Sequence, residues 1–253
     1  CLPEETNRRI VDIIYEVNLA YSEHARRYLA DCGLPKERTY VTGSPMAEVL
    51  HNNLADIEAS DVHQRLGLEK GKYILLSAHR EENIDTEKNF LSLFTAINKM
   101  AEKYDMPILY SCHPRSRNRL AASGFQLDPR VIQHEPLGFH DYNCLQMNAF
   151  AVVSDSGTLP EESSFFTSIG HPFPAICIRT STERPEAIDK GDFIIAGIDE
   201  KSLLQAVDTA VELCRDGQHG IPVPDYVDEN VSTKVVKIVQ SYVGIVNKMV
   251  WRK

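Results

Sequence analysis

The chain has 253 residues, of which 43% are hydrophobic and 25% are charged, and its formal net charge is −9. This balance is typical of a globular protein that has one large domain, or one domain and a smaller piece. The negative charge argues against non-specific binding to nucleic acid or an anionic membrane, although a local cluster of arginines can still bind a nucleotide. No apolar run reaches the length of a membrane span, and no signal peptide is apparent.

Six cysteines are scattered along the chain without a C-x-x-C pair. This pattern indicates reduced thiols in a cytoplasmic protein rather than disulfides or a zinc site. We expect neither a metal nor another cofactor, and the lack of a G-x-S-x-G motif disfavours a Ser–His–Asp hydrolase. Because the chain begins with Cys1 and enters a helical pattern almost at once, we also expect it to be a fragment of a longer protein.

The first part of the chain predicts short alternating elements. In order, they are a helix over 7–17, a strand over 19–21, a helix that Ser22 caps and that ends near Gly33, a strand over 39–42, and a helix from Ser44 to about 51. The polar residues 52–60 resemble a linker.

Beyond residue 60 the pattern becomes regular. Apolar runs typical of buried strands occur at 73–77, 107–111, 131–134, 150–154, 174–178 and 193–196. Helical patterns lie at 87–102 and 203–214, and another covers the tail at 231–250. Short apolar strands that alternate with helices predict the α/β class, with a Rossmann-like parallel sheet of about six strands.

Ligands of open parallel sheets bind at the carboxyl ends of the strands. The predicted strands deliver His79 and Arg80, then His113, then the segment 154–162, and finally Arg179 to Glu186 to one edge. Taken singly, His79 is as well explained as a surface residue, and Arg184 with Pro185 as an exposed turn pair. Their convergence on one edge favours a ligand site.

The segment Ser154-Asp155-Ser156-Gly157-Thr158 leads from a strand into a helix. Gly157 allows a tight turn, and free N–H groups at a helix start form an anion site, most often for phosphate. An ordinary strand-to-helix turn with a capping Ser or Thr is the simpler explanation of this motif alone.

Five short motifs make the chain similar to a known family. They are Pro3-Glu4-Glu5-Thr6-Asn7-Arg8, Thr42-Gly43-Ser44-Pro45, His79-Arg80-Glu81-Glu82-Asn83, Asp155-Ser156-Gly157 with Glu161-Glu162, and Thr182-Glu183-Arg184-Pro185-Glu186. Over essentially its whole length the chain resembles the non-hydrolysing UDP-N-acetylglucosamine 2-epimerases. It has Thr158 where the common epimerase has a second Gly. Together with the segment 137–142 and the tail, this resembles the branch that makes UDP-N-acetyl-L-fucosamine.

The resemblance implies two Rossmann-like domains of GT-B architecture, of which this chain is the C-terminal half. Residues 1–55 would be the end of the first domain and the hinge, 56–230 the UDP-binding domain, and 231–253 a helix that returns toward the first domain. On the order of a hundred residues, about one domain, would be absent before Cys1.

The resemblance also implies a reaction and a set of roles. UDP is eliminated as the C2 proton of a UDP-2-acetamido sugar is removed, and it then re-adds with C2 inverted, in the synthesis of precursors for capsule or O-antigen polysaccharides. The matching residues are Glu4 and His79 as catalytic groups, Ser156, Gly157 and Thr158 at the diphosphate, Glu162 at the ribose, Arg184 and Tyr142 at the substrate, and, more weakly, His113 and Arg80.

Two other functions stay open at this point. The chain also fits a GT-B glycosyltransferase that uses a UDP-sugar, or a non-catalytic nucleotide-binding module. As a fragment it is expected to be inactive but to bind UDP weakly. We expect it to bind a UDP-sugar and to bind neither nucleic acid nor a membrane. A homodimer is the oligomeric state that we consider.

Overall fold

The structure, a computed structural model, describes residues 3–80, 83, 86–112, 114–179 and 184–253, with side chains from Thr6 onward. The chain divides into two compact units, Cys1–His51 with Val223–Lys253, and Asn52–Pro222. The domain boundaries expected from the sequence, at 55 and 230, stay predictions. Among the described residues, no helix combines the length and the apolar character needed to cross a membrane.

The first unit is built on a small parallel sheet. Its elements are α1 Pro3–Ile14, β1 Asn18–Ala20, α2 Glu23–Asp31, β2 Thr39–Val41, the start of α3 Met46–Glu58, and α11 Val231–Met249. Strands β1 and β2 pair in parallel, with Asn18 opposite Thr39. The Ser22 hydroxyl accepts a hydrogen bond from the backbone N of Ala25 at 3.2 Å, so the predicted cap of α2 is confirmed.

An apolar groove of about 650 Å³ runs along this first unit. Its walls come from the end of α1 with the following residues, and from the C-terminal half of α11. Ile14 and Trp251, which line this groove, expose 65% and 64% of their surface.

The prediction of a linker over residues 52–60 is wrong, because α3 continues to Glu58. Leu50 and Ile57 are fully buried, and Leu54 is half-buried. These three residues recur at helical spacing, so they form an apolar stripe on one face of α3. The composition of the segment is polar because polar residues occupy the positions between them.

The second unit holds a six-stranded, wholly parallel sheet, as predicted. Its strands are β3 Ile74–Ser77, β4 Ile108–Ser111, β5 Val131–His134, β6 Ala151–Ser154, β7 Ala175–Ile178 and β8 Ile194–Ala196. Their order across the sheet is β5-β4-β3-β6-β7-β8. The chain therefore builds outward from β3 to one side and then from β6 to the other, which places the topological switch point between β3 and β6.

Helices cover the sheet of the second unit. They are α4 Val62–Leu66, α5 Glu87–Tyr104, α6 Pro114–Ser123, α7 Phe139–Met147, α8 Leu159–Ser168, α9 Pro185–Asp189 and α10 Glu200–Arg215. Because both faces of the sheet are covered, consecutive residues of one strand are buried, as for Ile74, Leu75 and Leu76 at 0% exposure. Phe90 and Phe94 of α5 belong to the same hydrophobic core.

Candidate functional site

A fully buried carboxylate occupies the switch point. Asp155 directly follows β6, and its Oδ2 accepts hydrogen bonds from the backbone N of His79 and of Arg80, both at 2.9 Å, and from Asn83 Nδ2 at 3.1 Å. Burial acts to raise the Asp155 pKa, but the hydrogen bonds and the charge of His79 outweigh it, so the pKa is lowered. Asp155 therefore stays ionised and holds the loop after β3 against the loop after β6.

The His79 imidazole is the second member of this pair. Its Nδ1 lies 3.0 Å from Asp155 Oδ1, while 49% of its side chain remains exposed. The hydrogen bond with Asp155 raises the His79 pKa, and burial together with the charges of Arg80 and Arg179 acts in the opposite direction. A carboxylate on Nδ1 fixes the ring orientation and leaves Nε2 available for a ligand.

The turn after β6 bonds part of its own backbone, since the N–H groups of Ser156 and Thr158 donate to Ser154 Oγ at 3.0 Å and to Ser156 Oγ at 3.3 Å. Gly157 is exposed, Ser156 and Thr158 are half-buried, and α8 begins at Leu159. The Thr158 hydroxyl does not cap α8, because it donates to Glu162 Oε1 at 2.7 Å and lies 2.9 Å from Ser156 Oγ. The Thr158 side chain thus gives α8 no cap, and the positive dipole end of α8 lies at the exposed Gly157, where an anion would be favoured.

Glu162 lies one turn into α8 and is only 8% exposed. Its two oxygens accept hydrogen bonds from Gln146 Nε2 and Thr158 Oγ1, both at 2.7 Å. Burial raises the Glu162 pKa, although these two hydrogen bonds act to lower it. A carboxylate has about four lone-pair positions, so two remain for hydroxyl donors such as a diol.

Tyr142 on α7 lies close to Glu162. Burial raises the Tyr142 pKa and the Glu162 charge adds to the rise, while hydrogen bonds with Ser154 and Ser77 act to lower it. These two serines end β6 and β3, the two strands at the switch point. The Tyr142 phenol therefore lies at the carboxyl ends of β3 and β6, beside Glu162.

Arg184 is held by an ion pair at the start of α9. Its Nη2 lies 2.9 Å and its Nε 3.1 Å from Glu161 Oε1, and Glu161 is almost completely buried. Because Glu161 and Glu162 are consecutive in α8, this pair places the Arg184 guanidinium next to the turn.

The structure thus brings together six positions singled out from the sequence around the switch point. These are His79, Ser156, Gly157, Thr158, Glu162 and Arg184, joined by the backbone of Arg80 and by Tyr142. His113 and the side chain of Glu4 lie outside the described residues, so their roles stay predictions. No group of three His, Cys, Asp or Glu side chains among the described residues could hold a metal ion.

Four residues of the site were not assigned roles from the sequence: Asp155, Asn83, Gln146 and Arg179. Asp155 and Asn83 lie within quoted motifs, so their pairing at 3.1 Å follows once β3 and β6 are known to be neighbours. Nothing in the sequence indicates that Gln146 belongs to the site, because in sequence a buried glutamine cannot be distinguished from an exposed polar residue. Arg179 ends a predicted strand, and only its near-complete burial, at 5% exposure, distinguishes it.

Comparison with known proteins adds independent information. The profile of the family described as UDP-N-acetylglucosamine 2-epimerase matches residues 1–240. The UDP-N-acetylglucosamine 2-epimerase of Methanococcus maripaludis is 31% identical over 215 residues, which are 82% of this chain and 57% of that protein.

Two solved structures are similar to the chain. That of the UDP-N-acetylglucosamine 2-epimerase from Rickettsia bellii has a TM-score of 0.86 and 39% identity, and the match covers 100% of this chain and 66% of that one. That of the Methanocaldococcus jannaschii UDP-GlcNAc 2-epimerase, in complex with UDP-GlcNAc and UDP, has a TM-score of 0.83 and 26% identity, covering 95% and 65%. The chain therefore spans between about half and two thirds of the length of these relatives.

Proposed function

Because this chain belongs to the UDP-N-acetylglucosamine 2-epimerase family, we propose that it serves to invert C2 of a UDP-linked 2-acetamido sugar. The observation that carries the proposal is the His79 imidazole, held 3.0 Å from a buried carboxylate beside a helix N-terminus without a side-chain cap. A cationic imidazole and the positive end of a helix dipole suit the departure of a diphosphate.

The proposed reaction needs no outside oxidant. A base removes the C2 proton, the C1–O bond breaks, and its electron pair leaves with UDP as a C1=C2 double bond forms. The diphosphate oxygen then adds back to C1, and a proton is delivered to the opposite face of C2. His79 would stabilise or protonate the departing diphosphate, and Glu4 would be one of the carboxylates that act at C2.

The remaining residues would hold the nucleotide. Ser156, Gly157 and Thr158 would bind the diphosphate through the turn and the start of α8. Glu162, fixed by Gln146 and Thr158, would accept hydrogen bonds from the ribose diol. The other substrate contacts are proposed for Arg184, Tyr142, Arg80 and His113.

We further propose that the sugar is UDP-GlcNAc or the UDP-linked 6-deoxy-L-talose sugar, on a path to surface polysaccharide. The resemblance to the 6-deoxy-L-talose branch rests in part on Thr158, which stands where the common epimerase has Gly and whose hydroxyl binds Glu162. Five described cysteines are free thiols, which supports a reducing, cytoplasmic setting. The homodimer stays a prediction, which sedimentation of the purified chain would test.

The first test is binding, which does not depend on the part of the relatives that the chain leaves unmatched. In calorimetry we expect the chain to bind UDP, and we expect Glu162→Gln to weaken it about tenfold, since a hydrogen bond to a charged group contributes about 1.5–3 kcal/mol. Glu69→Gln is the matched control, because Glu69 is 68% exposed and precedes β3 at the opposite edge of the sheet. Failure of the wild type to bind UDP would contradict the proposal.

The second part of the test is chemical. The chain, extended to the full length of its relatives, is incubated with UDP-GlcNAc and with the 6-deoxy-L-talose substrate in heavy water. Deuterium at C2 of the inverted product of one sugar would establish the epimerase and its substrate together. Sugar transfer to an acceptor without deuterium exchange would favour the glycosyltransferase instead.

A further inference from the structure

Arg179, the residue that follows β7, is a buried cation that the roles above leave unused. It is 5% exposed, and none of the described residues accepts a hydrogen bond from its Nε. Arg179 is not a member of the two neighbouring ion pairs, which are His79 with Asp155 and Arg184 with Glu161. A buried guanidinium nitrogen without an acceptor is unfavourable, so such a group is expected where a ligand supplies an acceptor for the guanidinium.

The position of Arg179 indicates where that acceptor lies. A Cβ atom built on Gly157 would be 3.8 Å from Arg179 Nη2, so the guanidinium lies close beside the exposed turn. Arg179 is also near enough to His79 for its charge to lower the His79 pKa. The two cations therefore flank the turn, His79 from the side of β3 and Arg179 from the side of β7.

The helix that starts at this turn adds to the same positive region. Helix α8 has ten residues, Thr158 gives it no side-chain cap, and Pro160 has no N–H of its own. The acidic residues of its first turn are already engaged, Glu161 with Arg184 and Glu162 with Gln146 and Thr158. A compact anion bound over Gly157 would thus meet the dipole of α8 and the guanidinium of Arg179 together.

We propose that Arg179 binds the diphosphate of the nucleotide and stabilises the charge that develops on it when the C1–O bond breaks. This rests on the proposed function, because it assumes that the anion at the turn is a nucleoside diphosphate. Negative charge on the departing phosphate is greatest in the transition state, so a fixed guanidinium there favours the transition state over the ground state. Uridine, which has no phosphate, gains nothing from it.

The test compares UDP with uridine in calorimetry on the whole chain. We expect Arg179→Met to weaken UDP binding at least tenfold and to leave uridine binding unchanged, and Arg179→Lys, which keeps the charge without Nε, to weaken UDP binding by a smaller factor. Arg215→Met is the control, since Arg215 on α10 is 70% exposed and both affinities should persist. If Arg179→Met does not fold, Arg179→Lys provides the test, through the ratio of its UDP affinity to its uridine affinity.

The two proposals fail in different ways. A wild-type chain that binds neither UDP nor uridine overturns both. A wild-type chain that binds UDP, together with folded Arg179 variants that keep the UDP-to-uridine ratio, overturns the assignment of Arg179 alone. A variant that loses UDP and uridine binding equally also overturns it, because that result indicates a packing role.

Discussion

His79 is a half-exposed histidine whose tautomer and charge depend on the fully buried Asp155. Asp155 is 0% exposed and accepts three hydrogen bonds at one oxygen besides its contact with the His79 ring. Because a carboxylate can only accept, Nδ1 of His79 must carry a proton when the pair forms. The buried acid therefore determines both the tautomer and the charge of the exposed base.

We expect Asp155→Asn to lower the His79 pKa, which is raised in the wild type mainly by this hydrogen bond. The asparagine removes the negative charge, and its amide can turn its N–H₂ toward Nδ1 and so reverse the tautomer. NMR titration of the imidazole measures both effects. Asp61→Asn, at an exposed carboxylate paired with Arg65, should leave the His79 titration unchanged.

The sign of the accompanying stability change follows from linkage. A histidine whose pKa is higher in the folded state stabilises fully below its unfolded value, about 6.5, and loses this contribution as pH rises through the folded value. Wild type should therefore lose stability across that window, while Asp155→Asn should not. An unchanged imidazole titration in a folded Asp155→Asn variant would contradict the proposed pairing.

At the scale of elements, α8 is tied to the loop before β8 by an unusual buried acid. The Ser163 hydroxyl donates to the backbone O of Asp192 at 2.8 Å, and the Ser164 hydroxyl donates to its carboxylate. Asp192 is 6% exposed, and no described residue donates to its Oδ1. Burial raises the pKa of Asp192 to about 7, although the Ser164 hydrogen bond acts to lower it.

We expect Asp192→Asn to stabilise the protein increasingly as pH rises. Between about 3.8 and about 7 the unfolded state has lost a proton that the folded state keeps, so wild type becomes less stable with rising pH. The gap to the asparagine variant should widen by roughly 1.4 kcal/mol per pH unit, or about 3–6 °C in Tm for a chain of this size. Thermal unfolding at pH 4.5 and 7.5 measures it, with Asp216→Asn, an exposed acid, as control.

The strands were predictable and their lateral order was not. Six apolar runs predict six strands, because a strand covered on both faces must be apolar at every position. Such runs do not indicate whether β6 pairs with β3 or lies beyond β5. The hydrogen bond from Asn83 to Asp155 joins residues 72 positions apart and depends wholly on that order. For this reason the sequence indicated the edge of the sheet where the site lies, but not which side chains there contact one another.

Two contacts at the site depend on burial that the sequence does not show. Thr158 looks like a helix cap in sequence, but its hydroxyl reaches Glu162 instead, one turn along α8. Gln146 looks like a surface residue, but it is 0% exposed because α7 packs it against that same carboxylate. Both outcomes depend on the burial of Glu162, and a glutamate in the first turn of a helix is more often exposed.

At the scale of the molecule, the two compact units differ in how completely they cover their apolar surface. The unit Asn52–Pro222 encloses a core that runs from α5 through the sheet to α10. The other unit leaves Ile14 and Trp251 more than half exposed along its groove. All described members of the proposed nucleotide site belong to the unit Asn52–Pro222, so we expect the integrity of that unit to govern UDP binding.

The parallel pairing of β3 with β6, with Ile74 opposite Ala151, also has a consequence for the time course of folding. Strands β4 and β5 intervene in the chain but lie on the far side of β3. Closing so long a loop is slow compared with forming local helices. We therefore expect His79 and Asp155 to meet only after β6 has paired with β3, which would make the proposed nucleotide site one of the last features to form.

In stopped-flow refolding, we therefore expect binding of a fluorescent UDP analogue to recover with the slowest phase, after most far-UV circular dichroism has returned. Recovery of binding in the fastest phase would show that the crossing of β6 comes early. On the expected outcome, a nascent chain acquires its affinity for UDP only when the sheet is complete, and bound nucleotide becomes a marker of finished folding.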